Sequence, residues 1–125
     1  MNQTDFNDIF EKTVSQCRNV LCSKAKEYAT EDRLHNFKQA AHIQSTTPVK
    51  ALGGMMSKHT VSIYDMIHSG DVYSSSLWNE KITDSINYLI LLRALIEDEG
   101  VVHHDAVMYA DDKVYYTEKI KTEED

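Results

Sequence analysis

Residues 80–96 read EKITDSINYLILLRALI. From Ile86 onward the stretch is almost all hydrocarbon. At 100° per residue its apolar positions point in nearly every direction around a helix axis, which marks a helix buried on most sides. Three partner helices drawn from a 125-residue chain cover such a rod incompletely. A homo-oligomer is therefore expected. Yet Glu80, Asp84 and Asn87 fall within about 60° of one another on the same rod. A carboxylate and an amide carried into a buried helix need something polar to meet, because burial of an unpartnered polar group is costly.

The rest of the chain supports helices. There is one proline and there are four glycines in 125 residues, so the backbone has few obligatory breaks. Apolar residues make up 42% and charged residues 26%, an ordinary globular balance. A first helix is expected from about Thr4 to Tyr28, with Phe6, Ile9, Phe10, Thr13, Cys17, Val20 and Leu21 on one stripe and Lys24 within it. A second, short helix runs from about Arg33 to Gln44 behind Asp32 as N-cap. The third opens at TTPVKALGG, where a threonine and Pro48 make a strong start signal, and stops at Gly70. Gly53–Gly54 inside it weakens the helix and leaves room for a backbone, a ligand or a small-residue helix contact. The fourth runs from about Leu77 to Ile96, capped by one of Ser74–Ser76. Cys17 and Cys22 lie five apart, on different sides of the first helix, so no mutual disulfide and a reducing cytoplasmic location are expected.

Charge divides the chain. Residues 1–96 are electrically balanced, and residues 97–125 carry the whole excess behind the net charge of −7. The expected organisation is a helical core domain over 1–96 and an acidic C-terminal extension over 97–125. The extension is either a tail or a small β-hairpin, with Val107–Tyr109 and Val114–Tyr116 flanking Asp111–Asp112. A neutral body with an acidic end argues against direct DNA binding. No run of about 18 apolar residues is present, so no membrane span is expected, and MNQTDFNDIF does not resemble a secretory signal.

The polar groups suggest a site. Lys58, Ser62 and Asp65 form a polar ridge on the third helix with His59 beside it, and Lys24 and Glu27 lie near the end of the first. Convergence of these with Glu80, Asp84 and Asn87 would give carboxylates for a hard cation such as magnesium. The alternative is that Glu80 serves the helix dipole while Asp84 and Asn87 bond neighbouring backbone, Lys24, Lys58 or Arg93 and fix helix register. His103–His104 make no metal-ligand pattern with the cysteines. No Gly-rich phosphate loop, nucleophile elbow or CxxC pair is present.

KAKEYATEDRLHNFKQAA (24–41), TPVKALGGMMSKHTVSIYDM (47–66) and WNEKITDSINYLILLRAL (78–95) together resemble a group of small uncharacterised phage and prophage helical proteins. Through them the chain distantly resembles the MazG-type all-α nucleotide pyrophosphatases and the phage nucleotide-modification-associated domain, over roughly residues 20–96. The resemblance implies an all-α, four-helix, MazG-like bundle. It also implies a magnesium-dependent nucleoside triphosphate pyrophosphohydrolase with Glu80 and Asp84 as catalytic and metal-binding residues. Lys24, Arg33, Lys58, His59 and Asn87 would then contact the nucleotide. The family's Glu-x-x-Asp motif is here one residue longer, and its Glu-Glu-x-x-Glu cluster has no counterpart. That departure opens the other expectation: a non-catalytic counter-defence protein in the host-cell cytoplasm that sequesters a host protein or a signalling nucleotide.

Overall fold

A computed structural model of the chain describes residues 1–23, 32–100, 107–110 and 113–116. Among them are four α-helices: α1 (Gln3–Arg18), α2 (His35–Gln44), α3 (Pro48–Ser69) and α4 (Ser75–Glu99). Two short strands follow, β1 (Val107–Ala110) and β2 (Lys113–Tyr116). The chain divides into two compact units, Met1–Leu95 and Ile96–Asp125. In the second unit β1 and β2 pair antiparallel, with Val107 opposite Tyr116 and Ala110 opposite Lys113. Asp111–Asp112, between the strands, and His103–His104 lie outside the described residues.

Each helix start is chemically legible. The Asn2 side chain accepts from the Asp5 N–H at 2.8 Å and caps α1. Thr47 accepts from the Lys50 N–H at 3.2 Å, with Pro48 at the first helical position of α3. Ser74 is the serine that caps α4, accepting from the Leu77 N–H at 3.1 Å. This start lies two residues before the expected one, so Glu80 falls beyond the first turn, where the helix dipole is no longer felt strongly. Asp32 acts one turn ahead of α2 rather than at its first residue. Its carboxylate accepts from the Leu34 N–H at 2.9 Å and from Lys38 Nζ at 2.6 Å, while its carbonyl accepts from the His35 N–H at 3.1 Å. Arg33 and Leu34 are thus a turn, not helix.

The first helix departs most from expectation. Regular α geometry ends at Arg18, and Asn19–Ser23 form a π-helical turn. Such a turn holds an extra residue, so a strict 3.6-residue stripe cannot run through it. The rest of the expected helix, to Tyr28, lies outside the described residues. Cys17 is buried and Cys22 exposed, both as free thiols, and burial pushes the Cys17 thiol above its ordinary range.

The core of the first unit is built by α2, α3 and α4 and the turn before α2. Leu34, Phe37, Leu52 and Leu95 form one buried cluster, with Leu52 and Leu95 fully enclosed. Val49, Met55, Met56, Tyr88, Leu91 and Leu92 pack around it. Gly53 and Gly54 have no close neighbour among the described residues: a Cβ on either would meet nothing within 4 Å. Nor is α4 enclosed on most sides, since Ile82, Leu89 and Ile90 remain exposed.

The α2 C-terminus stores strain. Ser45 adopts the left-handed conformation at φ 53°, while Thr46 N–H bonds Ala41 O at 2.9 Å and Ser45 N–H bonds His42 O at 3.3 Å. This is the Schellman arrangement, which favours glycine at the left-handed residue. Ser45→Gly is expected to raise stability by about 1 kcal/mol in urea unfolding, since the left-handed region costs a side-chain-bearing residue about 1–2 kcal/mol. A second expectation concerns acid. The Lys38 ammonium and the Leu34 N–H hold the Asp32 carboxyl below the usual aspartate range. A depressed folded-state value means that its contribution is present above the unfolded value and fades as pH falls through the folded one. The stability gap between wild type and Asp32→Asn should therefore close on acidification below the ordinary aspartate range, as read by thermal melts across pH.

Candidate functional site

Where α1 runs along α4 the packing is open. Gln16 and Val20 on one side, with Ser76, Asn79, Glu80, Thr83 and Asp84 on the other, line a cleft of about 630 Å³. The α4 residues recur at three and four, so they form one helical face. The cleft is within the size range of small-molecule sites. Glu80 is exposed and Asp84 half-buried, so the two expected carboxylates do share a wall. Asp84 Oδ2 lies 3.9 Å from His59 Nδ1 on α3, a contact that becomes an ion pair only with the imidazole protonated. The His59 ring in turn lies 4.8 Å from that of Tyr88. His59 therefore backs the wall from the α3 side.

Other expected site residues do not gather there. Lys58 and Asp65 are exposed on α3, and neither lines the cleft. Arg33 donates from its guanidinium to the Leu21 carbonyl at 3.2 Å and borders a different, apolar hollow with Leu21, Cys22, Leu34, Ile90, Leu91 and Ala94. Lys24, Glu27 and Glu31 lie outside the described residues. Among the described residues, then, the polar cleft has two carboxylates, two amides and hydroxyls, and no lysine or arginine. No group of three or more His, Cys, Asp or Glu side chains able to hold a metal ion is present among the described residues. Two carboxylates still fit magnesium, which takes one or two from protein and the rest from phosphate and water.

Gln16, Asn79 and Thr83 were not anticipated. For the α4 pair the signal was present: Asn79, Glu80, Thr83, Asp84 and Asn87 continue one polar stripe at helical spacing. Gln16 was hidden because only the fold sets which edge of α1 meets α4.

Asn87 is the anomaly. It is 5% exposed, and among the described residues neither buried amide atom has a hydrogen-bond partner. It follows Thr83 and Asp84 by one turn on the same helical stripe, but it is not among the residues that line the cleft. Among the described residues neither backbone nor Lys58 pairs with it, and Lys24, another expected partner, lies outside them.

No family model matches the chain, and no curated protein or solved structure matches it. No described helix is long and apolar enough to cross a membrane.

An unsatisfied buried donor or acceptor costs about 1–3 kcal/mol. Asn87→Leu, close to isosteric, is expected to leave the ligand-free protein as stable as wild type or about 1 kcal/mol more stable in urea unfolding. A loss above about 1 kcal/mol would show that the amide is paired in solution.

Proposed function

We propose that this protein binds a magnesium–nucleotide complex in the polar cleft between α1 and α4. The observation that carries the reading is the pairing of Glu80 and Asp84 on one wall of a cleft that no lysine or arginine lines among the described residues. A bare triphosphate would be repelled by two carboxylates, because like charges at such range cost free energy. The same carboxylates attract a phosphate already carrying a divalent cation. Glu80 and Asp84 would hold the magnesium, which neutralises phosphate charge and polarises phosphorus toward attack by water. Asn79, Gln16 and Thr83, which line the cleft, would hydrogen-bond phosphate or ribose oxygens. His59 stands behind Asp84 at 3.9 Å. The resemblance of residues 20–96 to the MazG-type pyrophosphatases adds the reaction: a nucleoside triphosphate cut to a monophosphate and pyrophosphate.

A second reading is a non-catalytic phage binder that sequesters a signalling nucleotide or a host protein. One observation favours it. The described residues supply two carboxylates where the MazG pattern has a larger acidic set. Turnover separates the readings, since both predict nucleotide binding when the sequestered ligand is a nucleotide.

The test is a thermal-shift and phosphate-release panel of ribo- and deoxyribonucleoside triphosphates, with magnesium and with EDTA. Ligand at a hundred times its Kd stabilises by about 2.7 kcal/mol, a shift of several degrees. Magnesium dependence is expected, with Glu80→Gln and Asp84→Asn each raising Kd at least about tenfold, equivalent to ~1.4 kcal/mol. Binding that is indifferent to metal and to both substitutions would remove this reading. Release of pyrophosphate favours the enzyme, and tight binding without it favours the sequestering protein.

A further inference from the structure

The N-terminal half of α1 is amphipathic with no cover. Phe6, Ile9 and Phe10 are 55%, 48% and 55% exposed, although they continue the stripe that buries Cys17 two to three turns later. On α4, Ile82, Leu89 and Ile90 are exposed, and their spacing of seven and eight residues puts them on one face. The two sets are adjacent in space. Ile9 and Ile82 line one groove of about 330 Å³, while Phe10, Ile86 and Ile90 line a neighbouring apolar one of about 440 Å³. An aromatic side chain buries about 150–250 Å² when fully enclosed, so Phe6 and Phe10 alone leave about 100 Å² each open. With the four aliphatic residues this is a large part of the roughly 800 Å² that each partner contributes to a stable interface.

Charge identifies the occupant. On α1, Asp5, Asp8 and Glu11 precede Lys12 and Arg18, so the helix is acidic in its first half and basic in its second. Asp5 and Lys12 lie within about 20° of each other on one flank of the apolar stripe. Both are exposed, and neither makes an ion pair among the described residues. A second copy of α1 laid antiparallel matches acid with base, whereas a parallel copy sets acid against acid. We infer that the α1–α4 face is the docking surface for a second copy of this chain, related by a twofold axis passing beside Ile9. Asp5 then faces Lys12 of the partner twice over. Ile9 meets its own counterpart, and Phe6 of each copy packs beside Phe10 of the other. The interface is isologous and closes after two chains.

The pairing bears on the cleft. The groove lined by Ile9, Lys12 and Ile82 shares Gln16, Asn79 and Thr83 with the polar cleft. A partner helix seated there forms a further wall of the cleft and sheds water from it. The assembly itself does not depend on the nucleotide reading, and it is tested without any ligand.

Sedimentation velocity on the full chain, over a hundredfold concentration range, should show a species of twice 14.3 kDa. Ile9→Asp should abolish that species while circular dichroism and melting stay near wild type, because the side chain is half outside the fold. Lys12→Glu and Asp5→Lys should each weaken association at least about tenfold, and the double exchange Asp5→Lys/Lys12→Glu should restore it. A chain that sediments at 14.3 kDa at every concentration overturns the inference. So does an assembly that survives Ile9→Asp, or a double exchange that fails to restore what the single changes removed.

Discussion

The loose fit of α1 on α4 governs what this molecule offers to the outside. The buried cluster of Leu34, Phe37, Leu52 and Leu95 draws on α2, the turn before it, α3 and α4, and takes nothing from α1. The first helix contributes only Cys17 to the buried set. Helices that share a tight core leave little space between them, because interiors pack like crystals. A helix laid beside that core leaves seams. Here one seam is walled by carboxylates and amides and the next by hydrocarbon, so the loose seating of one helix opens both a polar cleft and an apolar groove.

The polar seam explains why a greasy helix carries Asp84. Along α4 the side toward Leu95 is apolar, while Asn79, Glu80, Thr83 and Asp84 look into the gap left by α1. Asp84 stays half in water and meets His59 loosely, which keeps its charge affordable. Asn87, one turn further, is buried with neither amide atom paired among the described residues. A polar group left in that condition is a standing cost, and such costs concentrate where a protein binds something.

Local chemistry made much of the fold readable in advance. Thr47–Pro48 and Gly70 bracket α3 as their side-chain and backbone preferences require, and a serine at 74 caps α4. Two features were not readable. The π turn at Asn19–Ser23 interrupts a stripe that looks continuous in the sequence, because an inserted residue changes phase without changing composition. The even hydrophobicity of α4 suggested enclosure, but hydrophobicity records what a helix needs and not whether its own chain supplies it. For the site, the α4 residues were legible as a helical stripe. Lys58 and Arg33 were not, because membership of a cleft depends on how separate helices face one another, and that is a tertiary fact.

The π turn gives the first helix an adjustable phase. One residue corresponds to about 100° of rotation in α geometry. Shortening Asn19–Ser23 by a single residue would convert the wide turn to an ordinary one and swing the whole Phe6–Cys17 stripe, with Gln16, around the axis. The three core helices would keep their own contacts while the aim of α1 changed. The turn sits at the edge of the polar cleft itself, since its Val20 lines the same cleft as Glu80 and Asp84, so a change of phase there would re-aim the first helix from inside the seam.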